Sequence, residues 1–185
     1  MNHAQLGAHS RAKSSGLEGV VVADTRLSHV DGERGQLIIA GQRVETLALS
    51  DAMHFEHVAA QLLELATGTP RRSLQAELAQ ERLAAFAGIG ELETALLLPD
   101  AMASLLAATA QGSADHSGEA VLGALPVYVA AGARLRARLP PIAPPVTATH
   151  AEAFLAMLGL PATAARARAL DAYWITVSDH SLNAS

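Results

Sequence analysis

Residues 162–185, ATAARARALDAYWITVSDHSLNAS, carry both the helical pattern and the polar motif on which the reading of this chain turns. At about 100° per residue, Leu170, Tyr173, Val177 and His180 fall within a stripe of about 80°, and Asp179 lies off it. The spacing predicts a helix from 162 to about 180, with Pro161 suited to its first turn. His180 then points where the apolar residues point. An imidazole in that place is either a core histidine bonded to a carbonyl, the commoner arrangement, or one reaching a polar pocket beyond the core. Asn183, three residues further, comes within reach of the same pocket if the helix continues.

Upstream, Thr149 is placed to cap the helix HAEAFLAML, which Gly159 ends. The connector before it, LPPIAPPVTAT (139–149), is too rich in proline to be helical. Earlier helices are expected at 54–66, with Phe55, Val58, Leu62 and Leu65 on one side, and at 73–86, with Leu74, Leu78 and Leu83. Gly68-Thr69-Pro70 breaks the pattern between them. Two more are expected at 100–111, with Asp100 as N-cap, and at 119–139, joined by the polar loop QGSADHSGE. AGIGEL (87–92) has no strand before it and no phosphate-loop spacing, so it reads as a loop. Ahead of residue 50 the period shortens to β-branched clusters at Val20-Val21-Val22 and Leu37-Ile38-Ile39, with Asp31-Gly32 as a turn between them. Residues 1–15 are polar and aperiodic and read as a disordered tail. The fold class expected is mainly α with a small N-terminal β-hairpin or sheet.

Composition narrows the function. A chain of 185 residues with 50% hydrophobic and 17% charged residues can bury a core, which excludes disorder for its bulk. A net charge of -5, with Lys and Arg scattered, gives no footprint for nucleic acid. There is no cysteine, so neither a disulfide framework nor a thiolate metal site is available. MNHAQLGAHSRAKSSG lacks the apolar run of a secretory signal, which makes a cytoplasmic location the expectation. The most apolar segment, VLGALPVYVAAGARLRARL, is broken by Gly123, Pro126, Gly132 and three arginines, so no membrane span is expected.

Other candidate groups read as structural. His54 and His57 stand three apart on a helix, but Glu56 lies on a different face and no third ligand is evident, so a solvated helix N-terminus is expected and no metal site. His150 reads as a cap-region side chain packing near Glu152. Arg134, Arg136 and Arg138 occupy alternate positions, which spreads them round the helix as a solvated face and not a phosphate patch.

Four blocks in order carry a resemblance: GLEGVVVADTRLSHVDGERGQLIIAGQRVETLA (16–48), PVYVAAGARLRARLPPIAP (126–144), THAEAFLAMLGL (149–160) and ALDAYWITVSDHSLNAS (169–185). They resemble the citrate synthase family, which includes citrate and 2-methylcitrate synthases. The resemblance implies a multihelical fold, with residues 16–185 as the N-terminal part of its large domain and the C-terminal half absent. It also implies a homodimer, or a complementing C-terminal polypeptide, that binds oxaloacetate and an acyl-CoA, either acetyl-CoA or propionyl-CoA. No cofactor is implied, because acyl-CoA is a substrate. The chemistry implied is a Claisen-type condensation followed by thioester hydrolysis, in which a carboxylate removes a proton from the acyl group and a histidine stabilises the enol.

In that scheme the histidine of the DH…NAS motif contacts oxaloacetate, which maps to His180 as donor, with Asn183 helping to fix the site. The catalytic aspartate, the enol-stabilising histidine and the carboxylate-binding arginines come after this motif in the family, so no catalytic residue is assigned within the chain. The alternative is a noncatalytic interaction subunit that pairs with a full-length relative. Two departures stand out. Val177 replaces a histidine frequent in the family, and LLLPDAMASLLAATA (96–110) has Asp100, Ala101 and Leu106 where the family helix has His-Pro and an arginine.

Overall fold

A short antiparallel hairpin begins the computed structural model, which describes residues 24–112 and 117–181. Strands β1 (Ser28–Asp31) and β2 (Gln36–Ile39) pair with Ser28 opposite Ile39 and Asp31 opposite Gln36. Asp31 closes the turn: one carboxylate oxygen accepts the Arg34 amide at 3.0 Å and the other accepts from its guanidinium at 3.1 Å. Gly35, at φ +61°, takes the left-handed position that the turn requires. Strand β3 (Gln42–Arg43) completes a sheet of order β1-β2-β3. The turn expected at Asp31-Gly32 thus forms, with Asp31 as the last residue of β1, but the Val20–Val22 cluster and the 1–15 tail lie outside the described residues.

Helices follow: α1 (Val44–Leu49), α2 (Phe55–Thr67), α3 (Leu74–Ala87), α4 (Glu93–Leu96), α5 (Ala101–Gly112), α6 (Gly118–Arg136), α7 (His150–Leu158) and α8 (Ala164–Thr176). Their boundaries follow local chemistry. Asp100, Ser117, Thr149 and Thr163 each accept an amide of the first turn that follows them, and Glu152 returns the favour to the Thr149 amide as a capping box. Gly68 and Gly159, at φ +71° and +77°, end α2 and α7.

Two expectations fail here. Residues 44–49, read as part of the strand run, form α1 because Leu47 and Ala48 turn into the core against Ile39, Val58 and Ile175. AGIGEL, read as a loop, holds the 3-10 turn Ile89–Leu92, which runs on into α4. Burial of Ile89, Leu92, Ala95 and Leu96 outweighs the poor helix propensity of its glycines.

Helix α6 is the spine of the molecule. Ala120, Gly123, Ala124, Pro126, Val127, Tyr128 and Ala130 are all buried along it, with α3, α5 and α7 packed around. At Gly123 the backbones of α3 and α6 nearly touch: a Cβ there would stand 2.3 Å from the Cβ of Glu81. A second core joins β2, α1, α2 and α8 through Ile39, Leu47, Val58 and Ile175.

Helix α8 departs most from the sequence reading. It ends at Thr176 and not near 180, and its buried residues are Ala167, Asp171 and Ile175. That face is turned roughly 140° from the expected stripe, taking 100° per residue. Tyr173 and Val177, expected inside, are 60% and 56% exposed. The inward face was hard to see because its middle residue is an aspartate.

Candidate functional site

His180 lies beyond the end of α8, in a stretch without regular structure, and its side chain is exposed. Among the described residues none hydrogen-bonds or ion-pairs with its ring. Ser181 follows in the left-handed region at φ +71°. Asn183 lies outside the described residues, so its pairing with His180 is not described either.

Two residues before His180 in the pair Asp179-His180, Ser178 borders a groove of about 590 Å³. Four helices build its walls: Phe55 and Leu62 come from α2, Leu125 and Val129 from α6, Phe154 from α7 and Trp174 from α8. The lining is apolar apart from Ser178 and the ring of His150.

His150 is not the cap-region side chain expected beside Glu152. It is buried at the first position of α7, stacked on Phe55 and edge-on to Trp174, each with ring centroids 5.5 Å away. Arg82 Nη1 donates to its Nδ1 at 2.8 Å, and Arg82 Nη2 donates to the Ala148 carbonyl at 3.2 Å. A guanidinium only donates, so Nδ1 must accept, and the neutral ring carries its proton on Nε2. Burial first, and then the Arg82 charge, push the imidazole down to about 3, against an opposing hydrogen bond to the Leu122 backbone. Leu122 is four residues before Pro126, so its carbonyl lacks the usual intrahelical donor, and the ring stands in for it.

Two buried carboxylates bind the N-termini of neighbouring helices. Glu56 of α2 accepts the His150 amide at 2.5 Å, at the start of α7. Asp171 of α8 accepts the Phe55 amide at 3.0 Å and stands 2.9 Å from His54 Nδ1, at the start of α2. Each carboxylate thus takes up a first-turn amide that its helix leaves unpaired. Burial lowers the Arg82 guanidinium below its usual value, and nearby Glu56 opposes that shift. His57 is occupied too, its Nδ1 accepting the His54 amide at 3.0 Å. Among the described residues no three metal-ligating side chains gather.

Glu56, Arg82 and Asp171 were missed from sequence. A signal existed for Arg82, which continues the row Leu74, Leu78 at four-residue spacing and is fully buried. The inward row thus holds Arg82 in place of the expected Leu83. Of the three arginines read as a solvated face, Arg136 and Arg138 are exposed as expected, whereas Arg134 is half-buried, and both Arg134 and Arg136 also bond to carbonyls. Arg134 Nε donates to the Pro140 carbonyl at 2.7 Å and its Nη1 to the Leu158 carbonyl at 3.2 Å, while Arg136 donates to the Leu96 carbonyl at 3.1 Å. They tie down the proline-rich connector and the ends of α4 and α7.

Comparison with known proteins adds the context that geometry lacks. The family model described as citrate synthase, C-terminal domain, matches residues 16–185. A citrate synthase of Haloferax volcanii is 32% identical over 193 aligned residues, which cover 92% of this chain and 50% of the relative. The chain therefore spans about half the length of the curated relative that it matches. Among solved structures, citrate synthase from Pyrobaculum aerophilum superposes with a TM-score of 0.71 at 23% identity, covering 97% of this chain and 52% of that one. Citrate synthase from Thermoplasma acidophilum, solved as a ternary complex with carboxymethyl coenzyme A and oxaloacetate, gives a TM-score of 0.70 at 25% identity, covering 91% of this chain and 48% of that one.

Proposed function

The chain belongs to the citrate synthase family, and from that premise we propose that it supplies the oxaloacetate-contacting part of an acyltransferase site, with His180 as donor to the ketoacid and Asn183 fixing the site beside it. The observation that carries this reading is the motif position. His180 lies on an exposed segment directly after α8, without a partner among the described residues, in a chain matched to the family from 16 to 185. An imidazole left free at a helix end can turn its N–H to an incoming carbonyl oxygen.

The reaction proposed joins the acyl α-carbon of acetyl-CoA or propionyl-CoA to the keto carbon of oxaloacetate. A base takes the α-proton, the new C–C bond forms, and water then cleaves the thioester to release CoA. Donors aimed at the ketone oxygen lower the cost of the negative charge that develops on it. The base and the enol stabiliser belong to the other half of the fold, whether on the same polypeptide, on a complementing one or in a homodimer. The Thermoplasma acidophilum relative was solved with a carboxymethyl-CoA and oxaloacetate, which supports that substrate pair. No helix among the described residues is long and apolar enough to cross a membrane.

A second reading draws on α5. Asp100, Ala101 and Leu106 replace the His-Pro and arginine of the family helix, and Leu106 is exposed to solvent. These changes favour a noncatalytic subunit that pairs with a full-length relative. The test is co-expression of the chain with the unmatched half of the Thermoplasma acidophilum citrate synthase, followed by CoA release from acetyl-CoA and from propionyl-CoA with oxaloacetate present. Oxaloacetate-dependent CoA release supports the enzyme reading. A stable complex that releases none supports the noncatalytic one.

A further inference from the structure

The groove between α2, α6, α7 and α8 has no charged lining residue, and its rim leaves apolar side chains in water: Val129 is 38% exposed and Val177 56%. His150 adds no charge near neutral pH, because its pKa is depressed to about 3. One turn before the lining residue Val177, α8 turns Tyr173 outward at 60% exposure. An uncharged groove rimmed by exposed apolar side chains is the kind of surface that another packed element covers.

The matched share indicates what that element is. The match takes in 91–97% of this chain but only 47–52% of the three solved citrate synthases, so about half of each fold lies outside it. We propose that the groove seats an apolar helix from that remaining half of the subunit. Docking there would bring the second half against Val177 and Ser178, beside the segment that carries His180. The proposal rests on the enzyme reading above only for the identity of the partner.

The single tryptophan, Trp174, lines the groove and reports its occupancy. The probe is the unmatched half of the Thermoplasma acidophilum citrate synthase, tagged and co-expressed with the full chain. Capture of the chain and a blue shift of Trp174 emission are expected, with Val129→Glu weakening capture by about tenfold or more. Leu49→Glu, a charge at a site 81% exposed on α1 and away from the groove, should leave capture unchanged. No capture, or equal capture by both variants, overturns the proposal. So does self-association abolished by Val129→Glu, which would make a second copy the occupant. A red shift of Trp174 on removing residues 1–23 would assign the groove to this chain's own segment and overturn it as well. Capture that depends on Val129 but yields no CoA release would sink the enzyme reading and leave the docking site standing.

Discussion

At the scale of residues, buried ionisable groups set the sensitivity of this chain to acid. His150 titrates near 6.5 when unfolded and near 3 when folded. A base whose folded pKa is depressed contributes stability that is complete above the unfolded value and lost as pH falls toward the folded one. Between pH 7 and pH 4 the loss from His150 should be about 3 kcal/mol, and His150→Gln should flatten that part of a denaturant-derived stability profile. Asp171 gives a second expectation. Asp171→Ala leaves the Phe55 amide without its acceptor and should cost about 2–3 kcal/mol by urea unfolding. Asp171→Asn, which keeps an acceptor oxygen, should cost less. Neither Glu56 nor Asp171 was legible beforehand, because a carboxylate that caps another helix leaves no mark in its own helix's pattern.

The elements themselves were largely legible wherever a cap or breaker stands in the sequence. Asp100, Thr149, Gly68 and Gly159 each took the terminal role their chemistry suggests. The failures share a cause: tertiary burial decided them. Residues 44–49 and 89–92 became helical because apolar side chains there close a core, which local periodicity does not encode. The inward face of α8 differs from the expected one because Tyr173 and Val177 stay exposed while Asp171 is buried. One expected outcome belongs to this scale. Gly123→Ala should destabilise the fold by about 1–3 kcal/mol, since the added methyl meets Glu81 where α3 and α6 cross; thermal unfolding would measure it.

For the whole molecule, the resemblance read from four sequence blocks agrees with the family match, and the multihelical fold with a small sheet agrees with the solved neighbours. The proposed site was legible only as a motif. His180 is exposed, and Asn183 lies outside the described residues. Apolar exposure at Tyr173, Val177, Met102 and Leu106 should make the isolated chain associate, and sedimentation would reveal it; a compact monomer at every concentration would count against an uncovered core. The most direct test of the central claim is steady-state kinetics of the chain assembled with the unmatched half of a citrate synthase, comparing wild type with His180→Ala. A raised oxaloacetate KM together with a kcat lowered by about 10²-fold is the expected result. Unchanged kinetics would contradict the account, because oxaloacetate would then be held without His180.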